Sequence, residues 1–201
     1  MAAGEMRVFL GITGASGAPY AARILQGLTA ADCEVGVSAS EAGVEVLATE
    51  LYGEPSLPRD EVLARFTERA GDAVTVYDPR DFSAPYASGS APVDGYVICP
   101  CSMSTVGTIA AGAMANLIHR AASVAIKEER KLVLVPRETP LSLIHLQGMT
   151  TLRQAGAVIL FAAPGFYNQP ESIEDLVDFV AGRCLAQLGL DTSLVKAWGD
   201  E

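Results

Sequence analysis

Two histidines and four cysteines are all the imidazole and thiol metal ligands in this chain of 201 residues. His119 and His145 do not pair at ligand spacing, and Cys99 and Cys101 read C-P-C rather than C-x-x-C. No metal site is therefore expected. The thiols of Cys33, Cys99, Cys101 and Cys184 read as buried groups of a protein kept in a reducing cytoplasm. Positive charge is also scarce: 14 Lys and Arg stand against 24 Asp and Glu, a net charge of −10. A field of that sign repels phosphate backbones and argues against nucleic acid as a partner. A local cluster of Arg and backbone N–H groups can still hold a small phosphorylated ligand. The opening MAAGEMRVFLGITG has no basic segment ahead of a separate apolar core, so no signal peptide is expected. No apolar run of about 18 residues escapes interruption by Gly, Pro or charge, so no membrane span is expected either.

What is present is apolar. Half the residues are hydrophobic and 19% are charged, enough for one substantial core and one domain over residues 1–201. The mean hydropathy of +0.28 points to apolar surface covered by other subunits. Val, Ile and Leu runs at Arg7–Ile12, Cys33–Ala39, Val74–Tyr77, Gly95–Cys99, Lys131–Val135 and Ala157–Ala162 read as strands buried on both faces. Helical patterns fill Pro19–Ala31, Glu41–Tyr52, Asp60–Ala70, Thr105–Glu129, Leu141–Ala155 and Glu171–Leu188. This alternation predicts a doubly wound α/β domain, a mainly parallel sheet flanked by helices. The stretch Asp78–Pro92, rich in Pro, Ser, Gly and Ala, reads as a loop.

The first strand runs into Gly11-Ile-Thr-Gly-Ala-Ser-Gly-Ala18 and then a helix. Glycines allow a tight turn and close backbone approach, and the helix N-terminus offers unpaired N–H groups, so the corner suits an anion. The spacing is G-x-x-G-x-x-G, not the dinucleotide G-x-G-x-x-G. Ser40 ends the second strand where an NAD site carries an acid, and no Lys-Ser or Lys-Thr follows as in a P-loop. A mononucleotide such as FMN suits the turn better than NAD or ATP. A second hydroxyl-rich turn, Pro100-Cys-Ser102-Met103-Ser104-Thr105, follows the fourth strand. Two such turns at strand C-termini mark a ligand crevice more strongly than either alone.

Charge gathers later in the chain. Arg120 and Lys127 are seven residues apart, on roughly one side of a helix. Arg137 and Glu138 lie between prolines after the fifth strand, either as a rigid functional loop or as a surface ion pair. Tyr167 follows the sixth strand, as a ligand contact or a packing lid. Arg183 falls at the edge of the last helix's apolar face, where it either snorkels or reaches a pocket.

The motifs G-I-T-G-A-S-G-A, A-S-G-S (Ala87–Ser90), C-P-C-S-x-x-T, N-L-I-x-R-A, L-V-L-V-P-R-E-T-P and P-G-F-Y-x-x-P occur in the order found in the UbiX family. From Val8 to Leu190 the chain resembles that family of flavin prenyltransferases. The resemblance implies a Rossmann-like, flavodoxin-like fold and transfer of a dimethylallyl group from dimethylallyl phosphate to N5 and C6 of reduced FMN. The prenylated FMN would serve a UbiD-type decarboxylase. It also implies a homododecamer with sites at subunit contacts. Carried over by motif, Gly14, Ala15, Ser16, Ser40, Ser102, Met103, Ser104, Thr105 and Arg137 contact FMN. Tyr167 and Arg183 contact the allylic phosphate, with Arg120 and Lys127 adding positive charge. Glu50 and Glu138 match acids near the reacting groups. Glu138 or the departing phosphate takes the proton, with Ser16 as relay. Ala197, before Trp198-Gly199, stands where relatives commonly carry Arg.

Three other readings compete. An FMN-dependent cysteine decarboxylase would need a His base, and Tyr20–Ala31 contains no His. A non-catalytic FMN carrier has no use for Lys127, Glu138, Tyr167 and Arg183. Decarboxylation of an aromatic acid is the third.

Overall fold

The computed structural model describes residues 6–167, 169–191 and 194; Ala197 and its neighbours lie outside them. Among the described residues six strands form one all-parallel sheet: β1 (Arg7–Ile12), β2 (Glu34–Ala39), β3 (Val74–Val76), β4 (Gly95–Cys101), β5 (Lys131–Pro136) and β6 (Val158–Ile159), in the order β3-β2-β1-β4-β5-β6. The order reverses between β1 and β4, the point at which a doubly wound sheet opens a crevice at its C-terminal edge.

Among the described residues seven α-helices cover the sheet: α1 (Ala18–Ala30), α2 (Glu41–Tyr52), α3 (Arg59–Thr67), α4 (Met103–Ala110), α5 (Leu117–Lys127), α6 (Leu143–Gln154) and α7 (Ile173–Leu188). Alternate strand residues feed two cores. Val8, Leu10, Val97, Cys99, Val133 and Val135 pack against α1, α2, α3 and α7. Phe9, Tyr96, Ile98, Leu132 and Leu134 pack on the opposite face against α4, α5 and α6. Each large aliphatic side chain buried this way contributes roughly 1.5–3 kcal/mol. This explains why the strands read as unbroken apolar runs rather than alternating ones. The predicted loop 78–92 carries Tyr86 into the second core, where its ring lies directly over Gly36. A side chain at position 36 would occupy the space of that ring.

Local chemistry sets the helix starts. Ser40, Ser102, Asn116, Ser142 and Ser172 each accept a hydrogen bond from the backbone amide three residues on. Ser172 and Asp175 form the capping box foreseen in the sequence. The expected helix over Thr105–Glu129 is instead two helices, α4 and α5. Gly112 turns left-handed at φ 72° and Asn116 caps a new helix, a break that unbroken apolar spacing hides. The sixth strand is also shorter than expected, only Val158–Ile159.

Candidate functional site

Two turns meet at the β1/β4 switch point. After β1, Gly14 and Ser16 are exposed and Ala15 is buried. The amides of Gly14 and Ser16 have no hydrogen-bond partner among the described residues. After β4, Ser102 caps α4. Its Oγ accepts from the Thr105 amide at 3.2 Å and lies 3.0 Å from Thr105 Oγ1. Met103 and Thr105 are buried, and Ser104 faces solvent. Ser40 closes the third side, with its Oγ accepting from the Gly43 amide at 3.0 Å. α2 sits so close to the first turn that a Cβ on Gly14 would lie 2.5 Å from Ala42 Cβ. Gly14, Ala15, Ser16, Ser40, Ser102, Met103, Ser104 and Thr105 thus gather at one crevice.

The amides that begin α1 correct the sequence reading. They were expected to be open to an anion, but Glu50 Oε2 accepts from the Gly17 amide at 2.9 Å and the Ala18 amide at 2.8 Å. A carboxylate from the last turn of α2 therefore caps the positive end of α1. The free donors of this corner are the amides of Gly14 and Ser16.

Thr13 and Arg59 also shape the crevice, and sequence reasoning missed both. Thr13 Oγ1 donates to the Pro100 carbonyl at 2.9 Å and accepts from the Ser102 amide at 2.8 Å, joining the two turns. Arg59 Nη2 donates to the Ala39 carbonyl at 2.8 Å beside Ser40. Thr13 stood inside a recognised motif, and its spacing to Ser102 was the only available signal. Nothing in the sequence singled out Arg59.

Arg137 and Glu138 follow β5, the strand beside β4, at the same edge. Arg137 is exposed, and Glu138 is half-buried with Oε1 accepting from the Thr139 amide at 3.1 Å. Tyr167 packs edge-on against Phe179 of α7, with ring centroids 5.8 Å apart. Gly165 leaves it room, since a Cβ there would lie 2.8 Å from the Tyr167 ring. Arg183 lines a cleft of about 270 Å³ with Val158, Leu160, Phe161, Ala163 and Phe179.

The remaining cations stand apart. Arg120 Nε donates to the Ala87 carbonyl at 2.9 Å, and Lys127 pairs with Glu128. α5 covers the face opposite α7. It ends at Lys127, just before β5 begins at Lys131, so it runs antiparallel to the strands and delivers Lys127 to the edge where they start. Six residues of strand separate that edge from the flavin-side turns by roughly 20 Å. Because α5 and α7 cover opposite faces of the sheet, and Tyr167 packs on α7, a single chain does not bring Arg120 and Lys127 together with Tyr167 and Arg183.

Burial also tunes single groups. It lowers the pKa of His119 and pushes the Cys184 thiol up to about 12. Among the described residues no three His, Cys, Asp or Glu side chains gather as a metal site, and no helix is long and apolar enough to cross a membrane.

A flavoprotein family model matches residues 2–185. The chain is 47% identical to the flavin prenyltransferase UbiX of Pseudomonas aeruginosa over 201 residues, covering 98% of this chain and 96% of the relative. Among solved structures it is similar to AnUbiX (PadA1) in complex with FMN and dimethylallyl pyrophosphate. The TM-score is 0.87 and the identity 36%, over 98% of this chain and 100% of that one. It is also similar to a dodecameric FMN-dependent UbiX-like decarboxylase from Escherichia coli O157:H7, with a TM-score of 0.84 and 39% identity over 96% and 99% of the two chains.

Proposed function

The chain belongs to the flavoprotein family, and we propose that within it this protein is a flavin prenyltransferase. It moves a dimethylallyl group from dimethylallyl phosphate to N5 and C6 of reduced FMN, for use by a UbiD-type decarboxylase. The observation that carries this reading is full-length similarity to a UbiX protein solved with FMN and dimethylallyl pyrophosphate. The switch-point crevice supports it independently. Exposed, unpaired amides at Gly14 and Ser16, beside hydroxyls at Ser40, Ser102 and Ser104, suit the phosphate and polar edge of a flavin mononucleotide.

When bound, reduced FMN supplies the nucleophilic positions that accept the allyl group. Gly14, Ala15, Ser16, Ser40, Ser102, Met103, Ser104, Thr105 and Arg137 hold it. Arg120, Lys127, Tyr167 and Arg183 bind the donor phosphate and stabilise it as it leaves. Charge-assisted bonds aimed at developing negative charge are the strongest stabilisation such a site offers. Glu138, or the departing phosphate, takes the released proton, and Ser16 relays it. Glu50 acts from beneath the flavin-side turn, where its carboxylate holds the Gly17 and Ala18 amides.

The split between the two cation pairs supports an oligomer in which one copy's α5 completes another's site. A dodecamer suits this, as in the UbiX-like relative. One domain over residues 1–201 is consistent with a single six-stranded sheet. The four buried thiols suit a reducing cytoplasm.

The test is anaerobic incubation with reduced FMN and dimethylallyl phosphate, followed by the mass of the flavin. Addition of one five-carbon unit is the expected result. Recovery of unchanged FMN would overturn the assignment for this donor.

A further inference from the structure

Lys127 is the last residue of α5, and its neighbour Glu128 is the C-cap. Adjacent helical residues normally point apart. Here the helix ends between them, and Lys127 Nζ meets Glu128 Oε1 in an ion pair. The pair lies against the Ala87–Ser90 loop. A Cβ on Gly89 would stand 2.6 Å from Lys127 Nζ and 2.7 Å from Glu128 Cδ, so the bare backbone of Gly89 lets both side-chain ends lie against the loop. Arginines hold the loop from either side, Arg120 through the Ala87 carbonyl and Arg130 through the Gly89 carbonyl at 2.7 Å. The Glu128 carboxylate thus rests in a position made for an anion, between a lysine, an arginine and a bare backbone.

The location is otherwise poor for an acid. The C-terminus of a helix is its negative end and disfavours carboxylates. The Lys127 ammonium, and more weakly Arg130, hold the Glu128 carboxyl below the usual range.

We propose that Glu128 is an internal stand-in for the donor's phosphate, neutralising Lys127 until the incoming phosphate displaces it. The inference rests on the prenyl-transfer reading, which gives Lys127 to that phosphate. Donor affinity is then the outcome of a competition. A phosphate dianion displaces the carboxylate, whereas weaker anions do not.

Inorganic phosphate is the probe, titrated calorimetrically into the full-length, FMN-loaded protein. Glu128→Gln keeps the shape and removes the charge, so phosphate binds roughly two- to fivefold tighter and the donor KM falls in parallel. In a Lys127→Ala background the same change gives no gain. Glu128→Ala serves as a second variant, and thermal melts establish that each protein is folded. Equal or weaker phosphate binding by both Glu128 variants overturns the proposal. Tighter phosphate binding without any prenylated flavin from the wild-type protein would refute the prenyl-transfer reading and leave the competition standing.

Discussion

Thr13 and Ser102, far apart in sequence, are joined by a part-buried hydrogen bond in which the Ser102 amide donates to the Thr13 hydroxyl at 2.8 Å. The hydroxyl itself donates to the Pro100 carbonyl at 2.9 Å, and Thr13 is only 2% exposed. One side chain therefore sets the spacing between the two turns of the crevice. Thr13→Val keeps the volume but leaves the Ser102 amide without its acceptor, while the Pro100 carbonyl keeps its bond from the Thr13 amide, at a cost of about 1–3 kcal/mol. Urea denaturation should show that loss, and titration of FMN by fluorescence quenching should show weaker binding. Thr13→Ser restores the hydroxyl and should recover FMN affinity more fully than stability.

Glu50 offers a second handle on the same crevice. Its two bonds to the Gly17 and Ala18 amides satisfy donors that open α1, at the helix's positive end. Glu50→Ala should lower stability by about 1–2 kcal/mol, as loss of a good helix cap does. Glu50→Gln keeps an acceptor without the charge and should lose less. Denaturant midpoints at low and high salt separate the charge contribution, which salt screens.

Much of this was readable in advance, for physical reasons. Strands buried on both faces must be continuously apolar, so β1, β2, β4 and β5 were legible from composition alone. Glycine and hydroxyl spacing likewise revealed the two turns, because tight turns and caps demand those residue types. The cap on α1 was not legible, since Glu50 reaches it from another helix. The end of α4 was hidden because Gly112 interrupts no apolar period. The position of Lys127 escaped notice for a third reason. Spacing shows that Arg120 and Lys127 share a helix face, but not that the helix carries Lys127 away from the flavin-side edge.

His119 gives the stability a pH dependence of known sign. Burial depresses its pKa in the folded state, and its Nδ1 has no hydrogen-bond partner among the described residues. The unfolded chain therefore binds the proton more readily. The contribution of neutral His119 is fully present above its unfolded pKa, about 6.5. It is lost as pH falls from there through the lower folded value, at no more than roughly 1.4 kcal/mol per pH unit. Urea midpoints measured between pH 7.5 and 5 (roughly the range in which a histidine titrates) should fall with pH. His119→Asn should flatten that limb.

The separation of the cation pairs predicts complementation between inactive subunits. Lys127 lies on the face of the sheet opposite α7 and at the edge away from the flavin-side turns, whereas Arg183 belongs to α7 and Tyr167 packs on it. If one copy supplies Lys127 and another supplies Arg183, the two losses need not coincide in a mixed assembly. Lys127→Ala and Arg183→Ala proteins should each be nearly inactive alone, because each lacks one charge on the departing phosphate. Co-expressed with different tags and purified through both, they should assemble some sites from two intact halves. With random mixing in a symmetric oligomer, about a quarter of the sites receive both charges. Prenylated flavin should appear at about that fraction of the wild-type rate, while mixing after separate assembly should give none until subunits exchange. Activity no greater than that of the single variants would mean that the clamp closes within one chain. That outcome would require α5 to leave the face of the sheet on which Ile118 packs against Gly11.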